Sequence, residues 1–301
     1  MRITQQQLHR VSLGSLQGAR GRLFDLQRQS SSGLRVARPS DDPAAAGRAR
    51  VLASLVAEQS TYETAASYGL ARLQTADAGL AQAANLLVRA RELATAMANE
   101  TVSADQRAAA ALEVRQLRAA LIDVANTKYD DAYVFANIAT DTPVLDANGN
   151  FTYDVDTYDG VLEAELGPSN RTEIGASGAH AFARRAAAPT SVEVIDEVDL
   201  LAQALEANDP DAVRAQIDQI DLAHRQVTAE RARIGTRIQR VQEAREAATT
   251  QKALYRELRS DLVDADAIET FSRLQLAETT LQAAVAVAGR ILGPSLVDVL
   301  R

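Results

Sequence analysis

The sequence predicts a mainly α-helical protein: a long helical bundle or coiled-coil stem with paired N- and C-terminal helices, plus a small β-rich insert. Three observations predict it. Residues 44–142 and 211–293 contain no proline, so long helices are permitted there, where an interior proline would cost about 3 kcal/mol. Apolar residues recur at heptad spacing toward the C-terminus, and looser stripes run to both chain ends. Only 141–188 carries the alternation and turn residues of short strands.

Composition fits thin, closely packed helices. Of the 301 residues, 47% are hydrophobic but only 4% aromatic, so the core must be made of Ala, Leu, Val and Ile. The absence of cysteine excludes disulfides and thiolate metal sites. A formal net charge of −8 argues against nucleic acid as a partner, since phosphate binding needs a cationic face. No apolar run is long enough to span a bilayer. The start, Met1-Arg2-Ile3-Thr4, opens no apolar signal-peptide core, so a place outside the cell would need another export route.

In chain order, the first helix carries a stripe of Ile3, Leu8, Val11, Leu16, Leu23 and Leu26 before Ser30-Ser31-Ser32-Gly33. Asp42-Pro43 sets an N-cap acid before a first-turn proline, and Asp209-Pro210 repeats the device. Ser103-Ala104-Asp105-Gln106 is a capping box opening the run to Ala125, and Thr190-Ser191-Val192-Glu193 is another, opening 191–207. Between them Asn148-Gly149, flanked by Val144-Leu145 and Phe151-Thr152-Tyr153, predicts a hairpin, with Asp159-Gly160, Gly167-Pro168 and Gly175 as further turns.

From Val213 a four-three alternation passes through Ile217, Ile220, His224, Val227, Arg231, Ile234, Ile238, Val241 and Arg245. The last helix continues it with Phe271, Leu274, Leu281, Val285, Ala288 and Leu292, interrupted by Glu278, and apolar character runs on to Leu300. The plain reading of heptads is packing inside one bundle. Terminal stripes differ, because chain ends are usually frayed and polar. They call for a partner, either each other or the same helices on neighbouring molecules.

Catalytic constellations are missing. His9, His180 and His224 are scattered, and no metalloprotease, nucleophile-elbow or phosphate-loop motif occurs. Asp154, Asp156, Asp159-Gly160 and Glu165 faintly echo a calcium loop, but Tyr158 and Asp159 occupy the positions of a ligand and the turn glycine. No catalytic residue, cofactor or metal is expected, and an enzyme ranks last.

Ser31-Ser32-Gly33-Leu34-Arg35-Val36 followed by Arg38-Pro39-Ser40-Asp41-Asp42-Pro43-Ala44-Ala45 resembles the segment after the first helix of the flagellin superfamily. Within it, the Pro-Ser-Asp-Asp-Pro wording and the Met1-Arg2-Ile3-Thr4 start are similar to the hook-associated protein 3 family. Arg89–Ala94, Asn99-Glu100-Thr101, Ala125-Asn126-Thr127, Tyr133–Ala136, Ala229–Gly235 and Leu296–Arg301 match in order, covering about 1–140 and 190–301. Where the family often has glycine before its aromatic pair, this chain has Asp130-Asp131-Ala132.

The resemblance implies a structural part of the bacterial flagellum, joining the hook, through hook-associated protein 1, to the flagellin filament. It implies self-assembly into a ring, and export through the flagellar type III channel with a cytosolic chaperone on the C-terminal helix. It also implies an organisation of 1–38 with 262–301 as the inner coiled-coil layer, 39–140 and 189–261 as the central bundle, and 141–188 as a variable insert. A short filament flagellin and, less favoured, a cytosolic coiled-coil scaffold are the alternatives.

Overall fold

The computed structural model describes residues 5–136, 138–155, 160, 162–185, 188 and 190–292. Its helices are α1 (Gln5–Ser32), α2 (Pro43–Met97), α3 (Ala104–Ala125), α4 (Gly178–Phe182), α5 (Val194–Glu206), α6 (Pro210–Val263) and α7 (Ala267–Leu292). Among the described residues, four short strands, β1 (Lys128–Tyr129), β2 (Ala132–Tyr133), β3 (Glu163–Gly167) and β4 (Asn170–Glu173), form two antiparallel hairpins between α3 and α4. The protein is therefore mainly α with a small β insert. No helix among the described residues is long and apolar enough to cross a membrane.

Local chemistry starts most helices where the sequence places them. Asp42 Oδ1 accepts the Ala45 N–H at 3.0 Å, and Asp209 Oδ1 accepts those of Asp211 and Ala212. At α3 both arms of the capping box form, Ser103 with the Gln106 N–H and Gln106 with the Ser103 N–H. The box expected at 190–193 does not form. Ser191 Oγ instead bonds the Ala188 carbonyl and accepts the Arg185 N–H, while Glu193 Oε2 accepts the Arg184 N–H at 2.8 Å. The preceding loop takes Glu193 before it can serve the box, and α5 starts at Val194 rather than at 191.

Two compact units divide the chain, one of residues 1–58 and 251–301, the other of 59–250. The division falls within α2 and α6, and the first turns of α2 and the end of α6 share a core with the connector after α1. That core is Val36, Ala45, Ala49 and Val263.

In the larger unit α2 buries Ala66, Leu73, Leu80, Leu87 and Ala94 at steps of seven, and α6 buries Val213, Ile220, Val227, Ile234, Val241 and Ala248 in the same rhythm. Arg91–Asp221 at 3.0 Å and Arg231–Asp77 at 2.8 Å set α2 and α6 antiparallel. Arg89–Glu113 joins α2 to α3, and Arg115–Glu206 joins α3 to α5. Between the large seam residues of α6 lie Ala223 and Glu230, not His224 and Arg231. Those two sit one residue around the helix, so Arg231 is free to reach Asp77 on the outside.

The insert shares the bundle's core. Val144, Leu145, Leu166, Ile174 and Phe182 belong to the same buried cluster as the helices, and Phe182 meets Phe135 edge-to-face at 5.8 Å. Gly69 of α2 approaches Ile174 so closely that a Cβ there would lie 2.5 Å from its Cγ2. The Asn148-Gly149 turn is present, but its flanks form no strand and are joined by the single bridge Leu145↔Phe151 and by the Thr152 hydroxyl on the Pro143 carbonyl. Asp146 Oδ1 closes it by accepting the Asn148 and Asn150 N–H groups. Residues 156–159, in the calcium-like stretch, lie outside the described residues.

Asp130 and Asp131 have φ of 51° and 62° and link Tyr129 to its partner Ala132. Two left-handed residues in a two-residue loop make a type I′ hairpin, which normally takes glycine or asparagine. Aspartate tolerates that region better than most residues, so the turn survives the missing glycine.

Candidate assembly surface

The smaller unit carries the residues singled out for assembly, and its geometry starts at the connector. α1 ends at Gly33, whose φ of 70° and N–H to the Gln29 carbonyl make a left-handed C-cap. Ser32 Oγ accepts the Leu34 N–H. Pro39 and Ser40 are the middle of a turn closed by the Asp41 N–H on the Arg38 carbonyl at 3.0 Å. Proline presets the φ that this position requires.

Asp41 gathers the N–H groups of Ala37 and Arg38 and the guanidinium of Arg28. Asp42 caps α2, with Pro43 as its first residue. The Ala45 N–H, and then Arg35, hold the Asp42 carboxyl below its ordinary range. Each residue of the Ser32, Gly33, Pro39, Ser40, Asp41, Asp42, Pro43 set thus has a structural task in turning the chain from α1 into α2.

The same connector is tied to the turn between α6 and α7. The Arg35 and Val36 N–H groups donate to the Val263 carbonyl, the Ala265 N–H donates to the Gly33 carbonyl, and Arg35 Nη2 reaches the Leu262 carbonyl at 2.6 Å. That knot brings the end of α1 to the start of α7. Asp266 Oδ1 caps α7 through the Ile268 and Glu269 N–H groups. The two helices then run antiparallel, with Ala19, Leu26, Ala277 and Thr280 lining one shallow groove.

Burial along the pair follows a strict alternation. The inward residues are Ser12, Leu16, Ala19, Leu23 and Leu26 on α1, and Thr270, Leu274, Ala277, Leu281, Ala284 and Ala288 on α7. Leu16, Leu23, Leu26, Leu274 and Leu281 therefore sit in the seam. Val11, Phe271 and Val285 do not. They lie one residue away and are 70%, 58% and 54% exposed.

The seam spacing expected for α7 is corrected accordingly: Thr270, Ala277 and Ala284 replace Phe271, Glu278 and Val285. The small side chains let the helices come close, and one residue's rotation of about 100° turns the large ones outward. Leu8 and Leu292 fall on the two helices, with side chains outside the description, and Ile3 and Leu300 lie outside the described residues.

What remains are large apolar side chains exposed on both flanks of the pair. Val11, Leu13 and Phe24 on α1 and Ile268, Phe271, Leu276, Val285 and Val287 on α7 all project from the pair. Spacing by large apolar residues alone missed Leu13, Phe24, Ile268, Leu276 and Val287. A helix apolar on more than one face is the signal that finds them.

Comparison with known proteins bears on both units. Residues 5–140 match the model of the bacterial flagellin N-terminal helical region, and 217–297 that of the bacterial flagellin C-terminal helical region. The flagellar hook-associated protein 3 of Escherichia coli is 25% identical over 303 residues, covering 94% of each chain. Among solved structures, a putative flagellar hook-associated protein of Vibrio parahaemolyticus superposes with a TM-score of 0.65 at 17% identity, covering 74% of this chain and all of that one. The flagellar junction protein FlgL of Legionella pneumophila gives 0.57 at 15% identity, covering 73% and 100%.

Proposed function

The chain belongs to the flagellin superfamily and is a flagellar protein of the hook-associated protein 3 type, and from that premise we propose that it is the structural adaptor between hook and filament. In this role it assembles as a ring, meets hook-associated protein 1 on one side and flagellin on the other, and performs no catalysis. The observation that carries the proposal is the number of large apolar side chains that α1 and α7 leave exposed outside their shared seam. Leu13, Phe24, Ile268, Phe271, Leu276 and Val285 are too many large side chains on one helix pair to be scattered surface residues. Copies of these helices packed side by side would bury them.

Before assembly such exposure is a liability, and a cytosolic export chaperone covering the C-terminal helix, α7, would remove it. Export through the flagellar type III channel would then place the protein outside the cell. A cysteine-free chain with few rings suits passage in an unfolded state.

Electron microscopy of a deletion strain tests the role. Hooks without filaments, with flagellin shed into the medium, are the expected result. Normal filaments on the deletion strain would overturn it. Long filaments formed by the purified protein alone would favour a short flagellin instead.

A further inference from the structure

The two flanks of the α1–α7 pair are unlike. Each residue turns a helix by about 100°. Relative to Leu16, Ala19, Leu23 and Leu26 of the α1 seam, Leu13 and Phe24 therefore lean one way, and Val11, Gly18 and Arg22 the other. Relative to Leu274, Ala277 and Leu281 of the α7 seam, Phe271, Glu278 and Val285 lean one way, and Arg273, Leu276, Thr280 and Val287 the other. In an antiparallel pair, side chains displaced in the same rotational sense fall on the same side. The shallow groove agrees, since Arg22 lines it together with Arg273, Leu276 and Thr280.

Heights along the pair follow from the bridge between Leu34 and Asp264. Counting equally along both helices from it, Leu13 lies level with Val285, and Phe24 and Phe271 fall within a turn of each other. The first flank is thus a ridge, two pairs of exposed apolar side chains with Glu278 at a height between them. The second flank has a hollow of about 280 Å³ at the height of Glu278, floored by Ala19 and edged by Arg22 and Leu276. Gly18 beside it has open space where a Cβ would stand.

Charge fits the same arrangement. Glu269 engages Arg273 at 2.6 Å, whereas Arg22 and Glu278 make no ion pair among the described residues. Arg20, which shares a flank with Glu278, makes none either. A contact between like flanks would press ridge on ridge and leave the hollow empty, while unlike flanks suit a head-to-tail contact.

We propose that the ridge of one copy seats on the hollow of a second copy, with Phe24 and Phe271 beside Leu276 and the Glu278 carboxylate on Arg22. Such a contact is heterologous, so its repetition carries the assembly round a ring. The pairing rests on the assembly reading above and adds which side of the helix pair meets which.

Charge reversal in the full chain, expressed in the deletion strain, tests it. Arg22→Glu and Glu278→Arg should each lower the number of filaments per cell roughly tenfold, and the two together, which restore opposite charges across the contact, should recover it to within about twofold. Both positions are exposed, so circular dichroism of all three variants should match the parent. A double variant no better than the singles, or single variants with normal filaments, would overturn the pairing.

The cysteine-free chain permits a second measurement. Arg22→Cys combined with Glu278→Cys, oxidised on isolated hook–filament structures, should give dimers and longer multimers of this chain, and each single variant should stay monomeric. Dimers from either single variant would put like flanks together. That result, a double variant that stays monomeric, or a cross-link to another flagellar protein would each overturn the proposal. The parent on the same strain keeps the two readings apart. Filaments lost on deletion and regained with the parent uphold the junction role whatever the variants do, whereas filaments unaffected by deletion remove that role and this pairing together.

Discussion

Arg72, with no exposed surface, donates from Nη2 to the main-chain carbonyl of Tyr133 at 2.7 Å and to that of Val134 at 3.2 Å. It joins the middle of α2 to the type I′ hairpin. Among the described residues its Nε and Nη1 have no hydrogen bond within normal geometry, and burial, only partly offset by the nearby Tyr68 hydroxyl, lowers its pKa below the ordinary arginine value. The tie is thus made by a charge that the fold only half satisfies.

Removing it tests which half dominates. Arg72→Ala leaves two carbonyls short of a donor and opens a cavity, and should cost about 2–4 kcal/mol in urea unfolding. Arg72→Met refills the space without the burden of a buried charge and should lose clearly less. A methionine variant as unstable as the alanine one would show that the hydrogen bonds, not the packing, hold the hairpin.

Two helical glycines should respond to the same substitution with opposite sign. Gly235 in α6 has nothing within 4 Å of a built Cβ, so Gly235→Ala should stabilise by about 0.5–1 kcal/mol through helix propensity. At Gly69 the added methyl meets Ile174 Cγ2 at 2.5 Å, and Gly69→Ala should destabilise by about 1–3 kcal/mol despite the same propensity gain. Thermal melts of the two variants decide it. A stabilised Gly69→Ala would mean that α2 does not approach the insert this closely.

Glu193 and Glu197 both have pKa values raised, chiefly by burial. A carboxyl raised in the folded state binds its proton before the unfolded chain does. Acidification from neutrality through the folded pKa therefore favours folding at these two sites, and the gain is complete below the unfolded value. Glu206 and Asp146 act in the opposite sense, lowered respectively by Arg115 and by the Asn150 N–H, and their contributions are lost as pH falls through their folded pKa values. Glu193→Gln should thus have a higher Tm than the parent at pH 7 and lose that advantage toward pH 4. An advantage that stays constant across this range would contradict the burial effect.

Much of this architecture was legible because proline, capping and large apolar residues act locally. Asp42-Pro43, Ser103–Gln106 and Asp209-Pro210 start helices wherever they occur, and Val213, Ile220, Val227, Ile234 and Val241 mark the α6 seam by size and spacing. The illegible parts depend on what lies opposite. Ala19, Ala277 and Ala284 become seam residues only because another helix approaches them, and Glu230 is buried only because Arg233 and Arg237 reach it. Thr190–Glu193 has the letters of a capping box, yet Glu193 is taken by the Arg184 N–H and Ser191 by the Ala188 carbonyl. Arg72 reads as a surface residue until the hairpin closes over it.

The exposed apolar side chains of α1 and α7 make the sharpest demand on the assembly proposal, because they separate folding from function. Phe24 and Phe271 are 74% and 58% exposed, so the double change Phe24→Asp with Phe271→Asp should leave the unfolding free energy within about 0.5 kcal/mol of the parent. The same change places charge where a neighbouring helix would have to pack, and cells carrying it should form hooks that hold no filament. Leu274→Asp is the contrast, because it strikes the α1–α7 seam itself and should reduce helix content as well as assembly. Circular dichroism, urea unfolding and electron microscopy of the complemented deletion strain read the three outcomes. Normal filaments with the double variant would remove these two side chains from the junction.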